Sequence, residues 1–425
     1  MRSLFIIDDT ITNKISYWHL IAFLLVLPFE FFYSQVILIS FIFHTLLHCR
    51  RSYFKTLLSK ESLLLIAVYL IGAVALLYSP DKKEGLNILA RQLAILVFPV
   101  LFSLSDLNLG KYVLHFCKFF AFTCTFTIIY LYYDALHTIS YFHLPLSSLF
   151  TLIFMNHNFS LPIDIHATYL SLYVAFSIIT LAFLLLTEKS KWAKLFYILC
   201  LGILSMGLLQ LSSRAVFIAL LVFFNIVFPV LMFSKRQRIF FMLFALVVSA
   251  GLLFAITHND SFKVRYFNEL KKDLTDKAEL VEINEPRVAR WELILQMVKR
   301  SPVIGYGTGA EKQMLLQTYF DHKLMNSFLN EFNTHSEYLS LLMKTGFIGL
   351  ALFLYLLCTG FAVAWGNRDL LFFGFLILVT IVCVSENVLD LNKGIFFYSF
   401  FFSIFLLKDK ARERREETQD AGNPA

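Results

Sequence analysis

The sequence predicts an all-α membrane protein with about twelve transmembrane helices and a large helical loop outside the bilayer. Three observations lead there. Of 425 residues, 58% are hydrophobic and only 16% are charged, where soluble domains carry about 25% charge. The mean hydropathy is +0.69, which excludes a cytosolic enzyme, a disordered chain and a nucleic-acid binder. Apolar runs approaching the roughly 20 residues needed to cross a bilayer recur along the chain, with one long polar interruption.

The apolar runs lie near 15–33, 35–48, 62–79, 86–104, 112–134, 166–186, 195–211, 213–233, 239–256, 346–365, 369–386 and 394–407. This predicts nine spans within 1–256, a loop outside the bilayer over 257–345, three spans within 346–407 and a charged tail over 408–425. The first run begins only after Asp8, Asp9 and Lys14, and no small-residue cleavage site follows it, so it reads as a retained anchor.

Lysine and arginine orient these spans. With the N-terminus inside, the inner segments hold nineteen of them, against Lys82, Lys83 and Lys393 in the short outer loops. Both termini are therefore expected to be cytoplasmic. Most of the formal charge of +7 is topological and says nothing about an anionic ligand. The six cysteines all fall in or beside apolar runs, with no CxxC and no Cys/His metal spacing, so neither a disulfide framework nor a metal site is expected.

The polar stretch at 257–334 faces outward in this topology and balances 11 Lys/Arg with 11 Asp/Glu, as a folded, water-facing segment does. A loop of this length is more than a connector. Pro286 sits where a helix can start, and Val288, Trp291, Leu295 and Val298 then recur at helical spacing. Ser301-Pro302 ends that run, Gly305-Tyr306-Gly307-Thr308-Gly309 makes a tight turn, and a second helix is expected from about Glu311 to Asn330. The glycines follow a helix rather than a strand and lack a Walker lysine, so a nucleotide loop is not expected.

Arginines at membrane depth are costly and tend to face a cavity or a partner. Arg91, early in the fourth run, and Arg214, at the junction of the seventh and eighth, both emerge at the outer face by the span count. Arg287 and Arg290 lie three apart on the predicted loop helix, with Trp291 placed to brace Arg287. Four arginines around one outer pocket suit a diphosphate, because guanidinium forks bind phosphate oxygens in pairs. In Asn333-Thr334-His335-Ser336-Glu337-Tyr338, His335 stands where the loop returns to the membrane and is a candidate general base, with Glu337 the weaker alternative. Ligation of a metal by His335 with His137, His143, His157 or His322 has no regular spacing.

Taken together, these residues resemble the O-antigen ligase-like family of bacterial polysaccharide enzymes. Ser213-Arg214-Ala215-Val216-Phe217-Ile218 is similar to the family's Ser-Arg motif, which commonly has Leu where Ile218 stands. Arg287 through Trp291, followed by Pro302 and Gly305-Tyr306-Gly307, resembles its Arg-x-x-x-Trp helix and Gly-x-Gly turn. His335 with Tyr338 and Gly346 is similar to its His-to-Gly spacing, and His166-Ala167-Thr168-Tyr169 resembles a weaker His-x-x-Tyr element.

The resemblance implies a metal-independent glycosyltransferase without cofactor. Such an enzyme moves a glycan en bloc from undecaprenyl diphosphate to a hydroxyl of lipid A core at the periplasmic face of the inner membrane. By that likeness His335 activates the acceptor. Arg214 and Arg287 or Arg290 hold the diphosphate, with Arg91 in support, and His166, Tyr169, Trp291, Glu337 and Tyr338 stand around them. Its partners are the lipid-linked donor, the hydroxyl acceptor and membrane lipid. The same motifs allow a polysaccharide polymerase or a protein O-oligosaccharyltransferase. A polysaccharide or lipid transporter would have as many spans but would carry its polar residues at the midplane of two similar halves.

Overall fold

The computed structural model describes residues 7–274 and 285–410. Among them the chain is all-helical, without strands. The long helices are α1 (Ile11–Val26), α2 (Phe31–Leu47), α3 (Lys60–Leu76), α4 (Lys82–Leu104), α5 (Leu109–Tyr141), α6 (Ala167–Thr187) and α7 (Lys191–Leu211), followed by α8 (Arg214–Met232, with a π-helical turn inside it) and α9 (Lys235–His258). The polar stretch holds α10 (Arg287–Val298) and α11 (Glu311–Asp321), and α12 (Glu337–Gly366), α13 (Leu370–Ser385) and α14 (Asn392–Leu407) complete the chain.

Each of the twelve apolar runs coincides with one of these helices. By length and composition seven can cross a membrane, or eight if α2 and the Arg51–Leu57 segment bent away from it count as one span. Helices α1, α13 and α14 are shorter apolar helices. Seven or eight of the twelve expected spans thus reach full spanning length among the described residues.

The interior is built on α6, α13 and α14, which are apolar around their whole circumference and buried on nearly every side. Phe176, Phe375, Phe397, Phe401 and Phe405 interlock there edge to face or tilted. Lipid tails are as apolar as these rings, so the gain comes from close van der Waals packing rather than from expulsion of water. Helix α9, by contrast, turns Phe240, Val247 and Phe254 outward and lies at the periphery.

Two details of the polar stretch differ from expectation. The second loop helix is two helices, α11 and the short Met325–Leu329, separated by Lys323 in the left-handed region. Helix α12 begins at Glu337, nine residues before its expected start, and is broken at Gly346 (φ 63°, ψ −161°). That break meets the glycine turn. Tyr306 and Gly307 donate backbone hydrogen bonds to Met343 and Lys344 carbonyls at 2.8 and 3.0 Å, and Phe347 donates to the Pro302 carbonyl at 2.8 Å. A Cβ on Gly305 would lie 2.6 Å from the Met343 oxygen, and one on Gly346 would overlap the Val303 carbonyl. The two glycine motifs are halves of one backbone lock that fixes the loop to α12. Beyond Lys410 the expected tail, with Arg412, Arg414 and Arg415, lies outside the described residues.

Candidate active site

The lock sets the polar loop above the ends of α6, α8 and α13, and a cavity of about 330 Å³ opens there. Arg214 enters it because α7 stops at Ser212, a left-handed residue (φ 51°), and α8 restarts at Arg214. Its terminal nitrogen contacts Asp273 Oδ2 at 2.7 Å. Arg287, the first residue of α10, lies 3.5 Å from the same oxygen through Nε, donates to the Ser385 carbonyl at 2.8 Å and approaches Glu386 Oε1 at 4.0 Å. Arg265, within a π-helical turn (Val264–Asn268), also lines the cavity and pairs with Glu269. Apolar Ile218, Leu270, Ile381 and Val384 line the same space.

His335 stands beside this cavity, its Nδ1 4.0 Å from Glu386 Oε2. Its own φ is +45°, a left-handed conformation that costs a non-glycine residue energy and is retained where surrounding contacts over-determine it. Those contacts are on both sides. The His335 amide donates to Asn333 Oδ1 at 3.0 Å, and the preceding Thr334 carbonyl accepts from Trp291 Nε1 at 2.9 Å. Burial is the main cause that holds the His335 pKa down, to about 3, and the charges of Arg290 and Arg287 act in the same direction. The imidazole is therefore neutral at neutral pH. Burial raises the pKa of Glu386, and Arg287 pulls it back.

Arg214, Arg287 and His335 are thus brought together, and Trp291 lines the same cavity. Arg290 is not part of the lining. It is 6% exposed and stacks its guanidinium on Phe332 at 4.9 Å, with two of its nitrogens lacking hydrogen-bond partners. The expected bracing of Arg287 by Trp291 is replaced by two separate contacts, Arg290 on Phe332 and Trp291 on the Thr334 backbone. Arg91 is also elsewhere. It pairs with Glu84 at 3.4 Å on a second cavity, and does not join Arg214 and Arg287.

The remaining candidates act as props. His166 caps α6, accepting from the Thr168 amide, and its ring lies against His157; burial first, then that neighbour, lowers its pKa to about 4. Tyr169 and Tyr338 donate to the Asn387 and Thr380 carbonyls, both at 2.8 Å. Glu337 accepts from the Leu389 amide at 2.8 Å and is 1% exposed. All three fasten the 380–389 segment that carries Glu386. Sequence reasoning missed Arg265, Asp273 and Glu386. Glu386 alone left a signal, an acidic residue closing an otherwise apolar run.

No curated protein sequence matches the chain. A family model described as O-antigen ligase matches residues 199–354, the stretch that contributes Arg214, Arg265, Asp273, Arg287 and His335 to the site. With its membrane-length helices, the chain is a multi-pass membrane protein whose 199–354 stretch is similar to the O-antigen ligase family.

Proposed function

We propose that the protein is a glycosyltransferase that moves a glycan en bloc from undecaprenyl diphosphate to an acceptor hydroxyl, that of lipid A core. It works at the periplasmic face of the bacterial inner membrane, with both termini cytoplasmic and the 257–345 loop carrying the catalytic elements. The acceptor oxygen attacks the anomeric carbon, and the bond from that carbon to the diphosphate oxygen breaks. The electron pair leaves with the diphosphate, and the hydroxyl proton passes to His335.

One observation carries this reading: Arg214, Arg265 and Arg287 line one cavity, and His335 stands at its edge through Glu386. Fixed positive charge stabilises the negative charge that builds on a departing diphosphate, and arginine forks match its oxygens. In this account the arginines supply the charge that a metal ion supplies elsewhere. The apolar wall of Ile218, Leu270, Ile381 and Val384 suits the first part of a polyprenyl chain, which favours a lipid-linked donor over a nucleotide sugar. Arg287 rather than Arg290 takes the donor role, since only Arg287 lines the cavity.

A histidine held near pKa 3 is a weak base, because useful general bases titrate near the working pH. The bound diphosphate corrects this. Its negative charge offsets Arg287 and Arg290, removes part of what disfavours the imidazolium, and raises the basicity of His335 only when donor is present.

The test uses purified full-length protein, undecaprenyl-diphosphate glycan and core acceptor, with chelator and without nucleotide. Glycan on the core with free undecaprenyl diphosphate is the expected product. Product that requires added metal, or no product at all, contradicts the proposal.

A further inference from the structure

A second cavity, of about 380 Å³, lies against α4, α11 and the 331–333 segment, within the size range of ligand sites. It is separated from the arginine cavity by the turn that carries His335. Phe332 and Asn333 line the second cavity, and Glu386 lines the first. His335 contacts lining residues of both: its amide donates to Asn333 at 3.0 Å, its ring lies 5.5 Å from that of Phe332, and its Nδ1 is 4.0 Å from Glu386.

The lining differs in kind from that of the arginine cavity. Its buried wall is Lys344, held by Glu311 at 3.1 Å and Asp390 at 2.8 Å. Its outer part is the Lys312–Glu331 pair at 2.6 Å, with side chains 56% and 57% exposed, and the Arg91–Glu84 pair at 3.4 Å. Donors and acceptors alternate in close pairs, so the wall favours neither a polyanion nor a polycation. An array of hydroxyls, each both donor and acceptor, matches it, and Phe332 adds an apolar surface for the C–H face of a sugar ring.

We infer that this second cavity is the acceptor subsite and takes the hydroxyl-bearing end of a carbohydrate acceptor. The inference rests on the transferase reading above. With the donor diphosphate in the first cavity and the acceptor in the second, the anomeric carbon and the attacking hydroxyl meet beside His335, whose imidazole accepts the proton. Arg91 becomes an acceptor contact, not a diphosphate ligand.

The test uses full-length Leu316→Trp, which places an indole in the cavity, and Arg91→Gln, which removes an exposed charge without filling space. The probe is deacylated core oligosaccharide, measured both for direct binding and as acceptor in transfer. In both variants the acceptor KM should rise about tenfold or more, as expected for lost charge-assisted hydrogen bonds or a blocked site. Undecaprenyl-diphosphate binding should stay within about twofold of the parent. Unchanged acceptor KM and probe binding in both variants, or a selective loss of donor binding, overturns the inference. So does a parent that fails to bind the oligosaccharide at millimolar concentration, or that binds a serine-rich peptide in its place. Probe binding that Leu316→Trp abolishes, in a protein that yields no transfer product, keeps the carbohydrate site and removes the transferase reading instead.

Discussion

Arg214 and Arg287 converge on one carboxylate oxygen, Asp273 Oδ2, at 2.7 and 3.5 Å. These residues lie far apart in sequence, on different helices, and two guanidinium groups this close repel unless an anion lies between them. Asp273 supplies that anion. The diphosphate, carrying more charge and more oxygens, is expected to displace it.

Asp273→Asn removes the competing charge while keeping the side chain's size. Donor KM should fall by about three- to tenfold, the worth of roughly 1 kcal/mol for a partly exposed ion pair, with kcat little changed. A rise in donor KM on titrating lipid-linked donor would show that Asp273 positions the arginines instead of competing for them.

The pH dependence follows from the low pKa of His335, about 3. Loss of activity in acid, as the base becomes protonated, is read by kcat/KM for donor in the free protein and by kcat in the complex. Bound anion raises the pKa of a neighbouring imidazole. The acidic limb of kcat should therefore have its midpoint at higher pH than that of kcat/KM. Coincident limbs would mean that the diphosphate does not sit beside His335.

Gly346→Ala should lower the thermal midpoint in detergent, because a Cβ there meets the Val303 carbonyl at a left-handed φ of 63°. The backbone strain alone is about 1–3 kcal/mol. A midpoint unchanged from the parent would show that the loop is not fastened through this lock.

Orientation can be read by chemistry. With Cys49 and Cys358 replaced by serine, Gln313→Cys on exposed α11 should react with an impermeant maleimide from the periplasmic side, and Arg236→Cys should not. The charge bias between inner and outer segments motivates this. The reverse labelling pattern would put the arginine cavity in the cytoplasm.

Much of the architecture was legible because apolar runs and helix starts are local. Every long apolar run became a helix, and Pro286 with its helical spacing placed α10 correctly. Arg214 stood out at the junction of two apolar runs, Arg287 on the predicted loop helix after Pro286, and His335 where the loop returns to the membrane. Arg91, early in an apolar run, stood out as well, but the fold sets it with Glu84 on a second cavity. A span count gives height along the membrane normal and says nothing of position around the bundle, so two arginines at one depth can serve separate cavities. Arg265 and Asp273 were invisible for a related reason. They sit in a charged stretch like any solvated helix, and only the fold turns them toward Arg214.

In the proposed reaction the arginines hold the diphosphate and His335 accepts the acceptor's proton. The most direct measurement pairs undecaprenyl-diphosphate binding with single-turnover transfer for His335→Ala, Arg214→Ala and Arg214→Lys. His335→Ala should bind donor as the parent does and lose transfer by about 10²–10⁴-fold. Arg214→Ala should lose both, and Arg214→Lys should fall between them, keeping the charge without the fork. Transfer by His335→Ala within a few-fold of the parent, or undiminished donor binding by Arg214→Ala, would contradict the account.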